Sequence, residues 1–225
     1  VTMTQSTAAL TKRIDATWAV GDGNGGLDST DTVGNDTGYG VYLIRRSDTG
    51  VVDVLISSDM TAAGSALTMP TSYNQKRLIG WVKTNASSNI QTFLQSGDYF
   101  RLMTAAGGTY DLYDTTITGN TFETMTTTVP PLCEVLLYCM DSNGSTGDNY
   151  MSVFIKTKGA SEAASNSSEA FLSVQQHDDM DLITGYGNVL VDGSSQIEYA
   201  CTEGSGAANI TITTVGCVMH SRSNP

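Results

Sequence analysis

Two runs of β-branched and aromatic residues, Val41 to Arg46 and Val51 to Ser57, flank the tetrapeptide Ser47-Asp48-Thr49-Gly50. Val, Ile and Tyr pack well on a pleated surface, Asp and Thr hydrogen-bond to their own backbone, and Gly tolerates the positive φ that closes a tight turn. The spacing predicts an antiparallel hairpin. Past a bend at Met69-Pro70, three further short strands are predicted up to Phe100. A chain written in such hairpins is held to strands and turns.

Composition points the same way. Only 15% of the 225 residues are charged, and Gly numbers 23. Such sparing use of Lys and Glu, which build exposed helix faces, favours strands joined by turns. The expectation is an all-β fold, an antiparallel β-sandwich or jelly roll with long loops, as a single domain over residues 1–225. Neither an internal repeat nor a linker divides the chain.

The run from Leu132 to Met140 is the most hydrophobic. Cys133, Val135, Leu137 and Cys139 fall on one face of a strand there, and Leu136, Tyr138 and Met140 on the other. That predicts a central strand covered on both sides. Asp141 to Asp148 reads as a turn into a half-buried strand over 149–158, with Ser152 and Lys156 outward, paired to its predecessor as a hairpin. Thr115 to Thr128 reads as a long exposed excursion, ended by Val129-Pro130-Pro131. Further strands are expected at 101–103, 110–113, 171–174, 188–191, 196–201, 209–214 and 216–220. In 209–214, Ile210 and Ile212 are expected inward and Asn209, Thr211 and Thr213 outward.

The formal net charge of −12 argues against partners bound by displacing cations from phosphate, so no nucleic acid is expected. No run of about 18 apolar residues is present, and no membrane partner is expected. Residues 1–10, VTMTQSTAAL, lack the charged and apolar regions of a signal peptide. On a single strand, Cys133 and Cys139 would lie roughly 20 Å apart, too far to bond each other. Buried free thiols are expected, with pairs of Cys139 with Cys201 or Cys217 left open.

Each chemical motif has a plainer explanation. Gly21-Asp22-Gly23-Asn24-Gly25-Gly26 fits a dinucleotide-binding pattern, yet no helical run follows, and Asp28 and Asp31 would repel phosphate. Asp22, Asn24 and Asp28, and likewise Asp141 and Asn143, alternate as in a calcium loop but lack its closing bidentate Glu. His177-Asp178-Asp179-Met180-Asp181 clusters imidazole and carboxylates; with His220 the only other histidine, an acidic loop accounts for it. No nucleophile elbow is present. No catalytic, cofactor-binding or metal residue is assigned, and no cofactor is expected.

Tyr99, Phe100, Tyr110 and Tyr113 lie near Asp98, Asp111 and Asp114, the residue types with which sheets hold sugars, although strand alternation would bury half of these rings. Arg45, Arg46, Asp48 and Asp53 are read as cross-strand ion pairs that fix the hairpin register.

The Asp48-Thr49-Gly50 hairpin, the Met69-Pro70-Thr71-Ser72-Tyr73 bend and the Lys76-Arg77-Leu78-Ile79-Gly80 strand resemble small structural proteins of tailed bacteriophage virions. Residues 9–27 look like the opening of that family and 210–222 like its closing strand pair; 107–196 carry no such wording. The resemblance implies a non-enzymatic virion structural protein on the particle surface, assembled in the host cytoplasm, first a tail fibre or tail appendage component. Alternatives are a capsid decoration or cement protein, and a carbohydrate-binding module or glycan hydrolase of an appendage. Its expected partners are other virion proteins, copies of itself as a homotrimer, and host surface glycan, for host attachment. Residues 1–30 are expected to extend toward neighbouring subunits.

Overall fold

The computed structural model describes residues 9–103, 111–114, 121–143, 151–160, 172–176, 183–202 and 208–219. Among these residues every regular element is a strand, so the fold is all-β. The chain divides into two compact units, Val1–Gln91 and Thr92–Ser223, each with its own sheets.

The first unit holds β1 (Arg13–Thr17), β2 (Gly25–Leu27), β3 (Gly38–Arg45), β4 (Val52–Ser57) and β5 (Gln75–Lys83) in the order β1-β2-β4-β3-β5. The hairpin β3–β4 is in register from Gly40 opposite Ser57 to Arg45 opposite Val52, and Gly50 takes φ +74° in its turn. The mechanism is the expected one: Asp48 and Thr49 bond locally and Gly50 absorbs the left-handed conformation. Residues 13–27 supply two strands of this sheet, and both the β1–β2 and β2–β4 pairings are parallel. Tyr42, Ile44, Leu55 and Tyr73 form a buried cluster, with Trp18, Leu67, Met69 and Leu78 packed against it. The Tyr42 hydroxyl reaches the Asp59 and Thr61 carbonyls at 2.7 and 2.5 Å, so its burial leaves no orphaned oxygen.

The second unit holds β6 (Phe93–Ser96), β7 (Tyr99–Leu102), β8 (Leu112–Asp114), β9 (Glu123–Thr126), β10 (Glu134–Asn143), β11 (Met151–Thr157), β12 (Leu172–Gln176), β13 (Ile183–Leu190), β14 (Gln196–Thr202) and β15 (Ala208–Val218). One sheet runs β13-β10-β15-β7-β6, with β8 also on β15, and the other runs β12-β11-β14-β9. All pairings in both sheets are antiparallel. Val135, Leu137, Cys139, Ile212 and Cys217 of the first sheet and Val153, Ile155 and Ile197 of the second are all fully buried. The arrangement is β-sandwich-like, with β12 of one sheet meeting β13 of the other.

Four expectations are corrected in this unit. First, β11 does not pair with β10; its neighbours are β12 and β14, so consecutive strands lie in different sheets. Turn residues encode a reversal of direction but not which edge the next strand joins. Second, Lys156 is buried, not outward. Its Nζ lies 3.2 Å from Glu198 Oε2, donates to the Ala160 carbonyl at 2.8 Å and sits 4.1 Å from the Phe122 ring centroid.

Third, the two closing strands are one, β15, which crosses Gly216 with a bulge at Val215 opposite Leu136 and Leu137. A Cβ on Gly216 would come 2.1 Å from the Phe100 carbonyl oxygen, so the glycine marks a close approach of β7 and not a strand end. Thr211 and Thr213 are buried along with Ile210 and Ile212, so the clean alternation there does not mark a solvated face. Fourth, the Thr-rich excursion contains β9, paired to β14, with Met125 and Thr127 buried.

Candidate functional site

On the second unit, strand alternation and register together line up one face of the six-stranded sheet. Glu134, Leu136 and Tyr138 of β10 stand opposite Leu190, Asn188 and Tyr186 of β13. On the other side, Glu134 faces Val218 and then Tyr99, while Leu136 faces Gly216, Arg101 and then Leu94. Residues paired directly across antiparallel strands share a face. The reverse face carries Val135, Leu137, Cys139, Val189, Cys217 and Phe100 and is the core.

This face is open. Tyr186 is 64% exposed, Leu94 61%, and Tyr99 and Leu190 43% each. Leu136 and Tyr138 are half-buried, whereas the apolar residues on the reverse of β10 are buried completely. The expectation that β10 is covered on both sides is therefore corrected. At its centre the Tyr138 and Tyr186 rings pack with centroids 5.0 Å apart at 46°, and the Arg101 guanidinium lies 5.7 Å from the Tyr186 centroid. Arg101 reaches across the Gly216 row, where the absent side chain leaves room. Beside the rings, the Asn188 amide donates to Glu134 Oε2 at 2.8 Å. The result is an exposed platform of rings and aliphatic groups carrying a guanidinium, an amide and a carboxylate.

Charge is divided unevenly between the units. Of the 23 acidic residues, 15 fall in Thr92–Ser223, against four of the 11 basic ones. Nearly all of the net negative charge therefore belongs to the unit that carries the open face. Arg101 is the one basic residue among those described on that face.

In the first unit the Gly-rich segment 21–26 folds around a buried ion pair. Lys12 Nζ lies 2.9 Å from Asp53 Oδ1, and the two side chains are 3% and 1% exposed. The same ammonium donates to the Ala19 and Gly21 carbonyls at 2.7 and 2.9 Å, and Asp53 Oδ2 accepts from the Gly21 N–H at 3.0 Å. Trp18 and Tyr73 meet edge to face beside it, with centroids 5.2 Å apart. Burial pushes the Tyr73 phenol up, as does the charge of Asp53, while Arg46 opposes them. The chemistry of this cluster is structural: it ties β1, the Gly-rich turn and β4 together.

The other residues singled out in the sequence have found other work. Asp22 accepts from the Thr11 N–H, the Asn24 amide donates to the Val20 carbonyl, and Asp28 accepts from Thr30 and from the Thr68 N–H. These oxygens brace turns and do not converge on one point. Among the described residues, no three His, Cys, Asp or Glu side chains are grouped to hold a metal ion. The cross-strand reading of the hairpin charges is corrected: Arg46 pairs with Asp48 two residues on, Arg45 donates to Gln75, and Asp53 belongs to Lys12.

Of the aromatics picked from the sequence, Tyr99 reaches the open face and Phe100 is in the core. Asp111 accepts from the Thr214 N–H. Residues 104–110 and 177–182, with Tyr110, His177, Asp178, Asp179 and Asp181, lie outside the described residues, as do His220 and the side chains of Tyr113, Asp114, Asp141 and Asn143. Cys133, Cys139 and Cys217 are buried thiols outside any disulfide. A hydrogen bond with Cys133, reinforced by burial, raises the Cys217 thiol well above its ordinary range.

Tyr138 and Tyr186, the centre of the platform, were missed in the sequence because they are 48 residues apart and meet only through the β10–β13 register. Compared with known proteins, the chain matches no family model, no curated protein and no solved structure.

Proposed function

We propose that this chain is a non-enzymatic structural protein of a tailed bacteriophage virion, displayed on the particle surface as part of a tail fibre or other tail appendage. The observation that carries the reading is the open aromatic face of the six-stranded sheet, a recognition surface built on strands and backed by a fully buried core. Sites on strands hold their side chains in place better than sites on loops, which suits a part that must present the same surface in every copy. The hairpin, bend and basic strand of the first unit support it through their resemblance to virion proteins. The buried thiols of Cys133, Cys139 and Cys217, none of them in a disulfide, are in keeping with assembly in a reducing cytoplasm, beside other virion proteins and further copies of the chain.

The test is immunogold electron microscopy of purified particles with antibody raised against the full chain. Gold on tails is the expected result. Gold on heads would transfer the protein to the capsid as a decoration or cement subunit, and unlabelled particles alongside labelled free protein would sink the virion reading.

A further inference from the structure

We propose that the Tyr138–Tyr186 platform is a binding site for a neutral glycan, a deepening of the appendage reading that rests on it. Sugar rings present apolar C–H faces and hydroxyl rims, and a site for them needs exposed rings beside planar hydrogen-bonding groups. Tyr186 supplies the most exposed ring on this face, held at 5.0 Å by Tyr138. The Asn188 amide and the Glu134 carboxylate, joined at 2.8 Å on the neighbouring rows, place planar polar groups of the kind that meet hydroxyls beside the rings, and Arg101 adds guanidinium donors at the Tyr186 ring. These five residues come from three strands brought together by pairing alone.

Charge selects among possible occupants. The second unit carries 15 acidic and four basic residues, so an anionic polymer would meet long-range repulsion that one arginine does not offset. A second copy docking face to face would bring two such acidic bodies together. A neutral glycan pays neither cost. Leu94, Leu190 and Tyr99 extend the apolar area beyond the two central rings, room for several sugar units and not only one.

The experiment uses the full chain and four neutral probes, maltoheptaose, cellohexaose, mannohexaose and N-acetylchitohexaose, with heparin as the anionic control, by isothermal titration calorimetry. At least one neutral probe should bind, and Tyr186→Ala should weaken it about tenfold, the loss expected for one stacking ring. Because Tyr186 is largely exposed, that variant keeps the core intact, and an unchanged thermal midpoint verifies it. Val51→Ala, on the first unit, should leave binding unchanged. Failure of all four neutral probes, preferential binding of heparin, or equal binding by Tyr186→Ala would overturn the proposal. So would light scattering that shows a dimer dissociated by Tyr186→Ala, since the face would then belong to a second copy. If gold still labels tails after the glycan test fails, only this site is lost and the appendage reading stands.

Discussion

The Lys12 ammonium and the Asp53 carboxylate, 41 positions apart, lie 2.9 Å from each other with almost no exposure to water. A buried pair of this kind is often no better than a well-packed apolar pair, but a buried charge that has lost its partner is costly. Lys12→Met should destabilise the first unit by about 3 kcal/mol, whereas Lys12→Met combined with Asp53→Leu should recover much of that loss. Urea unfolding of the two variants decides it. Equal stability of wild type and the single variant would mean that the pair holds nothing together.

The glycines of the two units are not equivalent. A Cβ on Gly25 would sit 2.1 Å from the Thr17 carbonyl oxygen, a contact with backbone that cannot rotate away. Gly97, by contrast, has open space around it and only its φ of +57° to defend. Gly25→Ala is expected to cost about 3 kcal/mol and Gly97→Ala about 1 kcal/mol. Thermal midpoints in the reverse order would contradict the close packing of β1 on β2.

Tyr42 sets an alkaline limit. Burial raises its folded-state pKa above the unfolded value near 10, with the nearby Asp59 charge adding to the effect and the Thr61 hydrogen bond opposing it. The neutral phenol is the native form, so its contribution is complete below pH 10 and falls as pH rises through the window above. Stability measured from pH 8 to 12 should drop above pH 10, and Tyr42→Phe should flatten that drop while losing the bonds to the Asp59 and Thr61 carbonyls.

Asp59 acts at the acid end. Its burial works to raise the pKa, but hydrogen bonds from Thr61 and Ala66 and the charge of Lys76 outweigh it, and the net shift is downward. A depressed carboxylate stabilises at neutral pH and loses that contribution as pH falls through the ordinary carboxylate range and below. Asp59→Asn should therefore reduce stability at pH 7 and narrow the gap to wild type by pH 2, read from denaturation midpoints.

Three thiols should be silent in the native protein. Cys133, Cys139 and Cys217 are buried, and the raised thiol of Cys217 holds little thiolate, the reactive form. Iodoacetamide followed by peptide mass spectrometry should label these three only after denaturant is added. Rapid native labelling of any of them would mean that the β10–β15 core opens readily.

What was readable in the chain was what is written locally. The β3–β4 hairpin follows from Asp48, Thr49 and Gly50 together with the β-branched residues around them, and the buried face of β10 follows from its alternation. What was not readable depends on register between distant segments. Lys12 looks like any surface lysine until β1 joins β2 and β2 joins β4, and Lys156 looks solvated until β14 places Glu198 opposite it. Tyr186 sits between two glycines in a segment with weak apolar alternation, so nothing in its neighbourhood announces a ring on an open sheet. Gly216 misled in the other direction: a residue that usually ends strands is here required inside one.

The uneven division of charge also sets how fast the molecule can meet another surface. For the proposed appendage, acidic groups gathered in the unit that bears the exposed rings make approach to a negatively charged surface begin uphill, and salt screens that repulsion beyond a Debye length of about 8 Å at physiological ionic strength. Encounter should then quicken as salt is added and level off once the field is screened. On the proposed reading, the ionic medium would set the rate of contact, while the uncharged rings of the platform, which salt does not weaken, would hold the contact once made.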